Sequence, residues 1–374
     1  MKFTVERDDL TAVLSMGGKL IERSTAEILS HVLLTAQDGK LAVSSANNDM
    51  SFRTSIHADI DEDGSLAIPA EKLRSWVASC SAKSTISLQT DERSAILKSG
   101  RSKATFPTLT AELWPNHVDD AASSEMTISA ATMRRAIAFC LPSIGLNIGV
   151  NDYGLRIDEV DGLSVSVAFD GKRLAVFPMG ISGNVKFTIP PKTISVLTAI
   201  LPKEDIALEI SVGARLATFR FGDISIVSKL VDGDFSERWR MAYQFAIAKS
   251  VTVDGKSLSN AVSRVYSATM DTSIGFAIQD GLMRLRSSDG SVGAAAEDEI
   301  SVNGDDAGSY AVNAIFLTAA LDAVLDGVTD QTVRIGFNTM AMGEPIRIIA
   351  IAAPDRFHLI AGLRAHAWTM PGFE

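Results

Sequence analysis

Cysteine is scarce in this chain. Cys80 and Cys140 are the two among 374 residues, too few for a disulfide framework and too far apart for a CxxC metal site. Histidine is almost as thin: His31, His57, His117, His358 and His366 show no metal-ligand spacing, so no metal or other cofactor is expected. Long apolar runs are missing as well. The stretch 346–354 is broken by Arg347 and falls far short of the roughly 20 residues that cross a bilayer. The N-terminus, Met1-Lys2-Phe3-Thr4-Val5-Glu6-Arg7, has no apolar core of a secretory signal, and a reducing cytoplasm is the expected compartment. Catalytic signatures are lacking too. There is no HExxH, no GxSxG and no Walker A; Gly255-Lys256-Ser257 lacks the upstream glycine of a phosphate cradle. The expectation is a protein that is not an enzyme.

What is present is ordinary globular material, 46% hydrophobic and 21% charged, with a net charge of −10. Phosphate contacts need Lys and Arg, so an acidic total disfavours a protein that coats nucleic acid. It leaves room for one acidic outside and basic along a single lining, because net charge is a sum over the whole surface.

The informative signal is repetition. Phe3-Thr4-Val5 runs into a helical period at Leu10, Met126-Thr127-Ile128 into one at Met133, and Val251-Thr252-Val253 into one at Leu258. Val5, Ile128 and Val253 are offset by 123 and then 125 residues, and so are the helix anchors. A second unit recurs at offsets of about 121–123: Leu66-Ala67-Ile68-Pro69 before a helix at Leu73, Phe187-Thr188-Ile189-Pro190-Pro191 before one at Ile194, and Tyr310-Ala311-Val312-Asn313 before one at 314–324. The prolines are expected in the first helical turn, where no N–H is missed. Between these units lie β-type segments such as 40–44, 84–89, 94–98, 155–158, 164–168, 207–212, 224–230, 282–285, 333–336 and 345–350. Asp38-Gly39, Asp161-Gly162 and Asp280-Gly281 mark tight turns. The fold class is therefore α+β: three tandem copies of a two-helix, antiparallel-sheet domain, at 1–124, 125–246 and 247–374.

On specific stretches the chain resembles the bacterial DNA polymerase III beta subunit, the sliding-clamp family. The start, Met1–Leu10, is similar to that family's, as are Ser99-Gly100-Arg101-Ser102-Lys103 with Thr108-Leu109 and Pro115-Asn116. Phe169-Asp170-Gly171-Lys172-Arg173-Leu174-Ala175-Val176 matches its T-D-G-H-R-L-A-V segment. Ser228-Lys229-Leu230-Val231-Asp232-Gly233-Asp234-Phe235 matches S-K-L-V-D-G-x-F, and Met370-Pro371 stands where an M-P-M-R-L terminus begins. The third domain matches least. The resemblance implies a head-to-tail homodimer, a six-domain ring around duplex DNA with helices at the hole. Its implied partners are the DNA polymerase III catalytic subunit, an ATP-driven clamp loader and other proteins with clamp-binding motifs.

A clamp that slides needs sequence-independent attraction to phosphates. The candidate DNA-facing cations, in or near the expected helices, are Arg23, Lys72, Arg74, Arg134, Arg135, Lys192, Lys256 and Arg264. The helix at 314–324 carries none. The resemblance also places a partner-peptide pocket at Phe169, Gly171, Lys172, Arg173, Leu174, Arg240, Met241, Met370 and Pro371. Phe169 stands for a Thr and is expected to narrow that pocket, Lys172 for a His and Met241 for a Val. Ser236-Glu237-Arg238-Trp239 replaces P-D-Y-R and removes a proline wall, and Gly372-Phe373-Glu374 replaces M-R-L. Phe106 is a candidate for the dimer interface, with an ordinary core position as the other reading. Two functions stay open: a working replication clamp, or a divergent paralogue acting as a protein-interaction module with altered partner specificity.

Overall fold

The computed structural model describes residues 1–363 apart from 23, 92, 116–119, 148–151, 290, 292, 306, 339–344 and 351–352. One element order occurs three times. In the first third it runs β1 (Lys2–Glu6), α1 (Arg7–Gly17), β2 (His31–Gln37), β3 (Lys40–Ala46), β4 (Met50–His57), β5 (Asp59–Glu62) and β6 (Gly64–Pro69). It continues with α2 (Ala70–Ser79), β7 (Thr85–Asp91), β8 (Ser94–Ser99), β9 (Ser102–Pro107) and the short β10 (Leu109–Thr110). The second third has β11 (Ser124–Ser129), α3 (Ala130–Cys140), β12 (Leu155–Val160), β13 (Leu163–Phe169), β14 (Arg173–Ser182) and β15 (Phe187–Ile189). After these come α4 (Pro191–Ile200), β16 (Ala207–Val212), β17 (Leu216–Phe221), β18 (Ile224–Lys229) and α5 (Arg238–Tyr243). The last third has β19 (Lys249–Asp254), α6 (Gly255–Thr269), β20 (Ser273–Gln279), β21 (Leu282–Asp289), β22 (Ala294–Ser301), β23 (Asn303–Gly304) and β24 (Ala307–Asn313). It closes with α7 (Ala314–Leu325), β25 (Thr332–Phe337), β26 (Ile346–Ala350) and β27 (Ala353–Ile360).

Local chemistry accounts for this order. In β1 the side chains alternate, with Phe3 and Val5 inward, and α1 then presents Leu10, Val13 and Leu14 on one face. Asp254 caps α6 by accepting from the Ser257 N–H at 2.7 Å. Asn313 caps α7 by accepting from the N–H groups of Ile315 and Phe316. Pro191 is the first residue of α4, whereas Pro69 sits one place earlier, at the end of β6, just before α2 begins. The three Asp-Gly pairs at these turns have positive φ at both residues: Asp38 and Gly39, Asp161 and Gly162, Asp280 and Gly281. That is the two-residue hairpin geometry whose twist suits the flanking strands, and each joins the same two strands of its third (β2–β3, β12–β13, β20–β21).

The chain divides into two compact units, Met1–Arg134 with Lys192–Asp232, and Arg135–Pro191 with Gly233–Glu374. The first holds a nine-stranded sheet, β10-β6-β2-β3-β4-β18-β17-β16-β11, and a five-stranded sheet, β5-β1-β7-β8-β9. The second holds a nine-stranded sheet, β15-β12-β13-β14-β27-β26-β25-β19-β23, and a four-stranded sheet, β22-β21-β20-β24. Each nine-stranded sheet is thus a five-stranded and a four-stranded array joined edge to edge. The joints are antiparallel pairs: β4 with β18, Phe52 opposite Ile226, and β14 with β27, Leu174 opposite Leu359. The two remaining edges of the same kind, β9 and β22, have no strand beside them among the described residues.

At the β14–β27 joint the imidazole of His358 is buried. The Phe139 carbonyl can only accept, so Nε2 carries the proton and donates to it at 2.9 Å. Nδ1 is left as an acceptor for the Ser143 hydroxyl at 3.4 Å. Burial pushes the imidazole pKa down to about 4, with Arg173 adding to the effect, so the ring stays neutral.

Candidate functional site

Within the second unit, two segments build one apolar floor. Phe169 at the end of β13 and Leu174 in β14 join Val165, Val167 and Val176, together with Phe357 and Leu359 of β27. Phe235 and Trp239, ahead of and within α5, complete the cluster. Trp239 is fully buried, which fixes the short helix α5 to the sheet; its indole N–H finds no acceptor among the described residues. Phe169, expected in sequence to narrow an opening, is 7% exposed and belongs to this cluster.

Around this floor the polar groups are held by hydrogen bonds. The Asp170 carboxylate accepts from the N–H groups of Lys172 and Arg173 and closes the turn in which Gly171 takes φ of 82°. The same carboxylate receives Arg173 through Nε at 2.9 Å and Nη2 at 2.6 Å, and the guanidinium stacks over Phe316 at 4.0 Å. Lys172 is exposed. Arg240 is held by Glu237 at 2.8 Å and Asp158 at 2.8 Å, and lies over the Trp239 ring at 4.4 Å. Met241, beside it, is 76% exposed, an unbranched apolar side chain standing in solvent at the rim.

Asp158 anchors this arrangement. Its side chain is 2% exposed and meets Arg156 at 3.0 Å, Arg240 at 2.8 Å and Lys186 at 3.6 Å. Burial opposes its ionisation, but the Glu159 N–H, Arg156 and Arg240 outweigh that and hold the carboxyl below the usual carboxylate range. Sequence reasoning passed over Asp158 and met Trp239 only as part of a replaced stretch. The signals were there: Arg156 and Asp158 sit two apart on one face of a strand, and Trp239 follows Phe235 at helical spacing.

So the structure brings Phe169, Gly171, Lys172, Arg173 and Leu174 together with the segment carrying Arg240 and Met241. Met370 and Pro371 lie outside the described residues, as does Arg23.

The candidate DNA-facing cations fall into two groups. Lys72 and Arg74 on α2, Arg135 on α3 and Lys256 on α6 are exposed. Lys72, Arg74 and Lys256 form no ion pair among the described residues. Arg134, Lys192 and Arg264 are engaged by groups of the fold. Arg134 donates to the carbonyls of Thr198 and Leu201, capping the end of α4. Lys192 pairs with Glu22 at 2.8 Å and Asp49 at 3.3 Å, and Arg264 with Asp298 at 2.6 Å. Arg7 caps α2 through Val77 and Ala78, and Arg356 does the same for the Asp326 carbonyl after α7. A cation thus serves the end of the second helix in every third, each time from a different place in the fold. Phe106, in β9, is half-buried against the core of the first unit.

Comparison with known proteins gives two family matches: the DNA polymerase III beta subunit N-terminal domain over residues 1–118, and its central domain over residues 150–237. The beta sliding clamp of Escherichia coli K12 is 30% identical over 250 residues, 64% of this chain and 68% of that one. The chain belongs to the DNA polymerase III beta-subunit family. A beta sliding clamp from Caulobacter vibrioides is 28% identical over 322 residues, 82% of this chain and 86% of its own. The crystal structure of a DNA polymerase sliding clamp from Caulobacter crescentus superposes with a TM-score of 0.89 at 25% identity, covering 98% of this chain and all of the other. A DNA sliding clamp is a processivity factor and not an enzyme.

Proposed function

We propose that this clamp closes head to tail with a second copy into a ring that encircles duplex DNA in the cytoplasm, and that its repeats are the three domains 1–124, 125–246 and 247–374. One observation carries the reading. Of the six sheet edges of one kind, four are joined within the chain as the pairs β4–β18 and β14–β27, while β9 and β22 are left without a strand partner among the described residues. Extending the repeat places β9 of one copy against β22 of the next. Such a contact joins unlike surfaces, so it makes a ring when the rotation closes, and it removes two exposed strand edges. Lys98, Arg101 and Lys103 are exposed in and beside β9, whereas Glu297, Asp298 and Glu299 of β22 already meet Arg286, Arg264 and Arg284 of their own unit, so charge adds little to the pairing. Phe106 is then the apolar contact of the seam.

Lys72, Arg74, Arg135 and Lys256 supply the diffuse attraction to phosphates that sliding requires. Lys192, Arg264 and Arg134 contribute less, since their charges already have partners in the fold. The floor between β13, β14 and α5, rimmed by Met241 and Lys172, takes a short extended segment of the replicative polymerase, the clamp loader or another client.

The test is retention on nicked circular DNA after incubation with a clamp loader and ATP. Salt-resistant retention that is lost when the circle is cut would show a topological link. A folded, self-associating protein that never becomes salt-resistant would overturn the reading in favour of an interaction module.

A further inference from the structure

The two joints inside the chain keep one register, and the cross-strand rows of the repeats carry it to the edges left over. In the first third Phe3, Leu88, Leu97 and Ala104 lie abreast across β1, β7, β8 and β9. Their counterparts are Met126, Ile210, Phe219 and Ile226 in the second third, and Val251, Ile335, Ile348 and His358 in the last. Across the Asp-Gly hairpins, Leu34, Val43 and Thr54 form a row that recurs as Ile157, Ser166 and Phe177 and as Phe276, Leu285 and Asp298. Two places before Thr54, Phe177 and Asp298 stand Phe52, Ala175 and Ala296. Phe52 pairs with Ile226 and Ala175 with His358, so the joints match the same two positions. Between copies that match sets Ala104 opposite Ala296, Phe106 opposite Ala294 and Lys103 opposite Glu297.

Each joint is closed by a further hydrogen bond, three residues beyond Ile226 or His358. The Lys229 N–H donates to the Asp49 carbonyl and the Ala361 N–H to the Lys172 carbonyl, both at 2.8 Å. Three residues beyond Ala104 stands Pro107, which has no N–H to give. The strand on its other side fixes where that missing donor would face. The Thr108 N–H donates to the Arg93 carbonyl, just ahead of β8, at 3.2 Å. Backbone groups of successive residues point to opposite sides of an antiparallel strand, so the Pro107 nitrogen faces the free edge. Proline is tolerated there because β8 requires no bond from it. The central pair is small as well: two alanines, against phenylalanine with isoleucine in one joint and alanine with histidine in the other.

We infer that Pro107 leaves the seam between copies one backbone hydrogen bond short of the joints within the chain, and so sets how readily two copies part. The inference rests on the ring reading above and adds a register and a residue to it.

The experiment uses the full chain. Ala104→Cys and Ala296→Cys, made together, place sulfurs across a non-hydrogen-bonded pair, where Cα atoms lie about 4.5 Å apart and a disulfide can form. Mild oxidation should give a covalent dimer on a denaturing gel. The wild type, which keeps Cys80 and Cys140, and Ala104→Cys combined with Ile300→Cys should give none. Sedimentation over a dilution series then reads the association constant. Pro107→Ala should tighten it about fivefold for each seam, which is roughly 1 kcal/mol, the net worth of one backbone hydrogen bond. A wild type that associates, with no covalent dimer from the Ala104→Cys, Ala296→Cys chain, leaves the ring reading standing and overturns the register. An association constant that is unchanged or weaker in Pro107→Ala overturns the role of Pro107. If the wild type does not self-associate, the ring reading and the inference fall together.

Discussion

Strands β14 and β22 occupy the same place in successive repeats, and they could hardly differ more. β14, joined to β27, reads Arg-Leu-Ala-Val-Phe-Pro-Met with Leu174, Ala175, Val176 and Phe177 buried in succession. β22, with no neighbour beyond it, reads Ala-Ala-Ala-Glu-Asp-Glu-Ile-Ser and has no buried residue. Its acids are held by arginines of its own unit: Glu297 by Arg286, Asp298 by Arg264 and Glu299 by Arg284. The difference teaches how a repeated fold treats its ends. A strand joined for good within the chain can be apolar. One with no strand beside it among the described residues is polar, small and neutralised, which blunts indiscriminate edge pairing.

The largest effect that would break or confirm this contrast is an aspartate placed in each strand. Val176→Asp buries an unpaired charge at a joint and should cost more than about 4 kcal/mol or prevent folding. Ala295→Asp in β22 should change the stability of a single copy by no more than about 0.5 kcal/mol. Urea melts of both variants check this; equal losses would remove the distinction between joined and free edges.

Next is pH. His358 stays neutral in the fold with its pKa at about 4, against 6.5 when unfolded. Between these values the unfolded chain takes up a proton that the folded one refuses. Stability is therefore complete above about pH 6.5 and falls as pH drops towards 4, by roughly 3 kcal/mol in all. His358→Gln should flatten this part of the stability–pH curve. The Asp158 carboxyl, held low, loses its contribution only at more acid pH, below the ordinary carboxylate range.

Phe106→Glu probes the other free edge. For a half-buried side chain at β9 the cost to one copy should be about 1–2 kcal/mol, whereas self-association measured by sedimentation should be lost. A variant that stays associated would move the seam away from β9.

The smallest effects separate the two kinds of helix cation. Arg134→Ala removes two carbonyl contacts at the end of α4 and should cost about 1 kcal/mol of stability, with the salt dependence of DNA binding nearly unchanged. Lys72→Ala should leave stability within about 0.5 kcal/mol and reduce the salt slope by about 1.

Much of this was legible in the chain itself. The three Asp-Gly hairpins, the helix anchors Leu10, Met133 and Leu258, and the strand segments all appear where local propensity and periodicity put them. Such features depend on neighbours a few residues away. The pairing of Phe52 with Ile226, or of Leu174 with Leu359, depends on residues more than a hundred positions apart and leaves no local trace. The same limit applies to cations. Arg134 and Lys72 look alike in a helix, and only the tertiary fold decides that one reaches the end of α4 while the other stands in solvent. At the docking floor the quoted Asp-Gly-Lys-Arg-Leu turn was readable. Asp158 was not, because an aspartate in a strand resembles any other until its burial and its three cationic partners are known.

The joints β4–β18 and β14–β27 have one further consequence. Both strands of each belong to one polypeptide, so when either joint parts its two halves remain at a high effective concentration and re-form it at once. The proposed contact of β9 with β22 between copies would have none of that leash. In the proposed ring of two copies the seams are of three kinds, and the kind between copies, lacking that leash, would be the slowest to re-form and so the natural gate for a duplex to enter and leave.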